Sequence, residues 1–359
     1  MSSMANPLPI TLRAGRQALE LIREHGLKPS MVGLIPGAAG GPKALGLHGL
    51  DCAIFGHWLP QAPRQRWLVG ASAGAWRFAA LAQPEPIKAL KRFAELYIAQ
   101  QYSLRPTMDE ISHVIEDMII GTLDGNEHAI VNNPQWQLAI LTVRSKGLLA
   151  SDSGRHLAGG FLQVITNNLR ARPRLAKHFE RIVLHSPGAQ PPFFPLRDFP
   201  TEAVTLTPHN LKPALLASGA IPGLVRGVTN LPGAGPGTYR DGGLLDYHLD
   251  LPFSHQQDIV LYPHFVDRII PGWFDKSLPW RKPNPAHLDN MLLIAPSLSY
   301  LSTLPRRRLP DRSDFRHYVG RDSIRQRNWR LAISESERMG DAFLSLVESS
   351  RLMNVITPL

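Results

Sequence analysis

Five small residues in a row, Gly70-Ala71-Ser72-Ala73-Gly74, stand between a strand-like run, Arg66-Trp67-Leu68-Val69, and a helical pattern. A serine can sit at such a point only if the chain turns sharply from strand to helix. Neighbouring backbone then passes so close that the positions two before and two after the serine must be glycine. Ala71 and Ala73 keep the surroundings small as well. The constraint falls on the fold as much as on the chemistry, because strand, tight turn and helix form a building unit of α/β architecture.

The rest of the chain repeats that alternation. Thr11 is positioned to cap a helix over about Leu12 to His25, with Gly26 as its stop. A short buried strand is predicted over Met31–Ile35, followed by a glycine turn and a helical pattern carrying Leu45, Leu50, Ile54 and Trp58. Helical spacing recurs over Pro86–Tyr102, Met108–Ile120 and Arg321–Ser349; strand-like runs recur at Gln137–Arg144, Arg181–His185, Ala203–Leu206, Asp258–Tyr262 and Met291–Ile294. Helices alternating with short apolar strands predict an α/β fold, a mostly parallel central sheet with helices on both faces. The expected organisation is an N-terminal helix within residues 1–30 packed on the core, a core over residues 31–256, and a C-terminal extension over residues 257–359 belonging to the same globule.

Composition narrows the class further. The 359 residues include one cysteine, Cys52, which excludes an internal disulfide and a cysteine-based zinc site. No apolar run has the roughly 18 residues of a membrane span, and the N-terminus lacks the apolar core of a signal peptide. A cytoplasmic protein is expected, without metal or cofactor. The formal net charge is +10, and the segment 306–338 holds ten arginines against five acids. Such a patch fits either an anionic bilayer surface or a helix whose arginines pair with neighbouring acids. No nucleic-acid-reading motif accompanies it, so nucleic acid is not an expected partner. The loop Pro263–Pro285 mixes Trp273, Phe274 and Trp280 with Lys276, Arg281 and Lys282, a composition suited to a membrane interface or to packing beneath a loop.

Two more motifs carry chemistry. Gly37-Ala38-Ala39-Gly40-Gly41-Pro42-Lys43 lies between a strand and a helix, where free N–H groups can bind a phosphate or an oxyanion. Lys43 is followed by Ala44 rather than Ser or Thr, so the phosphate-loop pattern fails. Late in the chain, Asp241-Gly242-Gly243 follows the extended run Gly237–Arg240, about twenty residues after Ala217-Ser218-Gly219-Ala220-Ile221-Pro222.

These segments, in this order, resemble the patatin-like phospholipase family over roughly Met31 to Ser254. The resemblance implies a three-layer patatin-like fold and a lipid acyl hydrolase working through a Ser–Asp dyad. By motif, Ser72 corresponds to the nucleophile within the Gly70/Gly74 elbow and Asp241 to its base. The oxyanion turn corresponds to Ala39–Ala44, with donors drawn from Gly40, Gly41 and Lys43, since Pro42 has no N–H. This chain departs from the family pattern there: Ala39 and Ala44 replace glycines and Lys43 replaces an arginine. The implied substrate is a phospholipid or lysophospholipid, with peripheral contact to an anionic membrane. Three other readings remain open: an α/β-hydrolase triad pairing Ser72 with Asp241 or Asp246 and one of His248, His255, His264, His287 or His317; an acyltransferase; and a non-catalytic lipid- or membrane-binding protein.

Overall fold

The computed structural model describes residues 7–253, 258–349 and 351–359. Eleven strands form one sheet: β1 Ile10–Ala14, β2 Val32–Gly37, β3 Arg66–Ala71, β4 Trp136–Ser145, β5 Phe179–His185, β6 Thr201–Thr205, β7 Val228–Thr229, β8 Thr238–Asp241, β9 Ile259–Pro263, β10 Met291–Pro296 and β11 Ile356–Pro358. The main order is β11-β1-β10-β9-β2-β3-β4-β5-β6, with β8 on β4 and β7 on β8. The middle of the sheet, β10-β9-β2-β3-β4, is parallel throughout. Its strands are buried on both faces, which explains why they read as unbroken apolar runs rather than alternating ones. Helices cover the sheet, giving the mixed α/β architecture read from the alternation. No helix among the described residues is long and apolar enough to cross a membrane.

Two local expectations change. Residues 10–14 are a strand, and the first helix starts only at Arg16. Ile10, Leu12 and Ala14 are buried while the two residues between them are half-exposed, a period of two that the helical reading passed over. Two neighbours decide the matter: β1 pairs with β10 antiparallel and with β11 in parallel, both contributed from the far end of the chain. The pattern carrying Leu45 to Trp58 is a relay of a 3-10 turn (Gly41–Leu47), an α-helix (His48–Ala53) and a π-turn (Ile54–Trp58) rather than one regular helix. The sequence reading also missed the helices Gly154–Arg170 and Pro208–Ser218. Residues beyond 256 contribute β9, β10 and β11 to the same sheet and the long helix Asp322–Glu348, which packs against His48–Ala53.

Sheet register brings the functional motifs together. One edge of β4 is taken by β5 over residues 139–145. The other edge is shared: β3 occupies it up to the pair Ala71–Leu141, and β8 occupies it antiparallel from the pair Thr142–Asp241 onward. β3 and β8 therefore meet end to end, with Ser72 following one C-terminus and Asp241 closing the other.

Candidate active site

Ser72 adopts φ 54 and ψ −131, a sparsely populated region for an L-residue that costs on the order of 1–3 kcal/mol and persists only when surrounding structure enforces it. The enforcement is visible. A Cβ on Gly74 would lie 2.0 Å from the Gly37 carbonyl oxygen, and one on Gly70 would lie 2.6 Å from the Ala75 nitrogen. Both contacts are with backbone, so neither can be relieved by turning a side chain. The helix Ala73–Leu81 springs directly from this turn, and the Trp76 indole N–H donates to the Leu215 carbonyl at 2.8 Å.

The segment Ala217–Pro222 ties the two halves of the site. The Ser218 hydroxyl is fully buried; it accepts from the Ser72 N–H at 2.8 Å and donates to the Leu141 carbonyl at 2.7 Å. Two residues on, the Ala220 carbonyl accepts from the Asp241 N–H at 3.1 Å. Sequence reading noticed this segment and assigned its residues no task; it missed Ser218 because a buried serine in a helix has no local signature.

Ser72, Asp241, Gly40 and Lys43 line one cavity of about 330 Å³. The Asp241 carboxyl is almost entirely buried, and dehydration pushes its pKa up to about 6. A hydrogen bond from the Gly243 N–H (2.8 Å), the neighbouring Ser72 hydroxyl and the positive charges of Arg312 and Lys276 oppose that rise. Gly40 and Gly41 stand at the start of the 3-10 turn, where N–H groups have no partner within the turn. The Lys43 N–H instead points back to the Gly40 carbonyl at 3.4 Å, and Lys43 lines the cavity with its ammonium 3.7 Å from the carboxylate of Asp311, which lines it too.

Two further cations were not singled out as site residues. Lys276 lines the cavity, with its ammonium 3.9 Å from the Tyr247 ring centre and 5.1 Å from that of Trp273. Dehydration, then the like charges of Lys43 and Arg312, lower its pKa to about 7. Arg312 comes from the arginine-rich segment, and its Nη2 lies 3.4 Å from where a side chain on Gly41 would begin. Neither cation has a carboxylate partner among the described residues. Elsewhere that segment follows the paired reading: Arg306 and Arg308 hold Asp314, Arg325 holds Asp322, Arg330 holds Glu95 and Arg338 holds Glu335.

A second cavity of about 490 Å³ adjoins Ser72 on the other side. Its walls include Trp76, Tyr97, Ile111, Ile115, Ile221 and Phe315, and Arg312 lines both cavities. Ser72 thus stands between an apolar chamber and a cationic one.

None of the described histidines lines the Ser72–Asp241 cavity. His248 and His264 are buried against each other beside Phe265, and dehydration carries the pKa of His264 down to about 3 and that of His248 well below its ordinary value. His287 pairs with Asp250. His317 is exposed on a short surface helix. His255 lies outside the described residues, as does Ser254 at the end of the resemblance. Asp246 is committed to Arg181, which it grips with both oxygens at 2.7 and 2.8 Å.

No protein-family model matches the chain, and no curated protein matches it. Among solved structures it is similar to VipD from Legionella pneumophila, at 14% identity and TM-score 0.34 over 93% of this chain and 71% of that one. It is also similar to human GIVD cytosolic phospholipase A2, at 11% identity and TM-score 0.34 over 96% of this chain and 66% of that one. Similarity at this level leaves the chemistry to be argued from the site's own geometry.

Proposed function

We propose that this chain is a patatin-like serine acyl hydrolase that cleaves fatty-acyl esters of the phospholipid or lysophospholipid class. The observation that carries the reading is the strained Ser72 facing one cavity together with a buried carboxylate, Asp241, with no described histidine lining it.

The Ser72 oxygen attacks the ester carbonyl carbon while its proton passes to Asp241. An unperturbed Asp, near pKa 3.9, is a weak base; at about 6 this carboxylate is a better one and is still ionised at neutral pH. The Gly40 and Gly41 N–H groups hydrogen-bond the negative oxygen of the tetrahedral intermediate, a type of contact worth on the order of 10²–10³ in turnover. Collapse breaks the ester bond, and the leaving alcohol takes the proton from Asp241. Water then loses a proton to Asp241 and attacks the acyl-serine; Ser72 recovers its proton as the fatty acid departs. The apolar chamber suits the acyl chain. Lys43, Lys276 and Arg312 suit an anionic leaving group, which favours a phosphate-bearing alcohol over a neutral one.

A triad hydrolase is less well supported, because Asp246 is engaged by Arg181 and the described candidate histidines lie off the Ser72 cavity. Labelling with a fluorophosphonate probe tests the proposal: wild type is expected to label at Ser72, Ser72→Ala not at all, and Asp241→Asn at least 100-fold more slowly. An unlabelled, folded wild type would favour the non-catalytic reading. Product analysis with and without an alcohol or thiol acceptor separates hydrolysis from acyl transfer.

A further inference from the structure

The helix Gly154–Arg170 buries Leu157, Gly160, Val164 and Asn168 against the molecule. Beside that buried row, at the same helical spacing, runs a second row that contacts water: Leu162 is 67% exposed, Ile165 45% and Leu169 53%. Single exposed leucines are ordinary, but three on consecutive turns of one helix form a continuous apolar stripe. The helix contains no acidic residue. Arg155 near its start, Arg170 at its end, and Arg174 and Lys177 in the following turn have no ion-pair partner among the described residues.

A second segment extends this face. The Arg281 guanidinium donates to the Asn168 carbonyl at 2.9 Å, which ties the 273–282 loop to the end of the helix. Next to that anchor Trp280 is 64% exposed. Apolar side chains, an exposed tryptophan and unpaired cations together match the chemistry of a bilayer interface carrying anionic lipid.

The stripe also connects to the substrate cavity. Phe161, next to Leu162, packs on Trp273 and Phe274, with ring centres 6.4 and 6.2 Å apart. Phe161 and Trp273 line the cavity that holds Ser72.

We infer that the exposed face of the helix Gly154–Arg170, with Trp280, is the surface by which this protein docks on anionic bilayers, setting the Phe161–Trp273 edge of the Ser72 cavity against the lipid. The purpose assigned to the contact rests on the acyl-ester reading; the contact itself is measurable without it. Of the two segments the sequence offered for membrane contact, the arginine-rich one has half of its arginines committed to carboxylates, whereas Trp280 of the aromatic-basic loop stays exposed.

The test is co-sedimentation of the full chain with vesicles of phosphatidylcholine and 30% phosphatidylglycerol, compared with phosphatidylcholine alone, at low and high salt. Wild type is expected to bind the anionic vesicles and to weaken at high salt, as screening of the cations requires. Leu162→Gln/Ile165→Gln, at two exposed positions, is expected to lower partitioning at least tenfold while keeping the wild-type melting temperature. Equal binding by variant and wild type, or no wild-type binding to anionic vesicles, overturns the assignment. So does a wild-type dimer in analytical ultracentrifugation that the double substitution splits without affecting vesicle binding; the stripe would then belong to a second copy. Wild-type turnover of a soluble p-nitrophenyl ester is read alongside. Its absence would sink the acyl-ester chemistry, and the vesicle result would still decide the docking surface.

Discussion

Ser218→Ala deletes one oxygen and tests whether the elbow is held from outside. In the wild type that oxygen satisfies two buried backbone groups, the Ser72 N–H at 2.8 Å and the Leu141 carbonyl at 2.7 Å. Alanine leaves both without a partner in a site too enclosed for easy solvation, and each orphaned group costs about 1–3 kcal/mol. The expected loss of stability is therefore about 2–6 kcal/mol. With an unfolding entropy of about 2.1 cal/mol/K per residue, a chain of this length should melt about 3–8 °C lower, as calorimetry would measure. The second consequence is catalytic. Ser72 sits at φ 54, and without the Ser218 contact the turn is free to relax towards a commoner conformation. A displacement near 1 Å at a reacting oxygen costs on the order of 100-fold, so kcat/KM for a soluble ester should fall by that order with KM little altered. A lowered melting temperature with unchanged kcat/KM would refute the link between Ser218 and the elbow. An unchanged melting temperature would show that water replaces the hydroxyl.

Four other outcomes are expected. With Asp241 as the proposed base and its pKa raised to about 6, kcat/KM should decline as pH falls through 6, and Asp241→Asn should abolish that limb along with most of the activity. The same shift acts on stability with a definite sign: a carboxyl whose folded pKa exceeds its unfolded value loses stability as pH rises from about 4 to 6. Asp241→Asn should therefore be the more stable protein at pH 8, by up to about 3 kcal/mol in denaturant melts. Gly74→Ala should prevent folding or remove fluorophosphonate labelling, since its Cβ would collide with the Gly37 carbonyl at 2.0 Å; a folded and active variant would contradict the packing described for the elbow. Asp246→Asn should destabilise by about 3–5 kcal/mol, because it strips one carboxylate from the buried Arg181, yet its folded fraction should still label at Ser72. Lost labelling with the fold intact would revive the triad.

Much of the site was legible because its demands are local. A serine on a sharp strand-to-helix bend needs small residues within two positions on either side, and Gly70 to Gly74 satisfy that in a single pentapeptide. Strands buried on both faces announce themselves as short apolar runs, so β2, β3, β4 and β9 were readable within a few residues of their observed ends. β1 was misread because five residues with polar neighbours fit either periodicity; the choice was made by β10 and β11, some three hundred positions away. The helix Gly154–Arg170 was missed for a related reason. Its paired glycines and its β-branched and amide residues are poor helix formers, and packing overrides them.

Sequence by itself determined which atoms are available: a hydroxyl on a tight bend, a carboxylate before two glycines, a glycine turn with free N–H groups, and an excess of cations. Tertiary structure alone decided who meets whom. It brought Ser72 and Asp241 to one cavity by seating β3 and β8 end to end on one edge of β4, and it set Lys276 and Arg312 along that cavity while tying other arginines to acids. The physical reason is range. Steric and conformational demands are written within a few residues of where they act, whereas dehydration and charge depend on whatever the finished fold brings alongside.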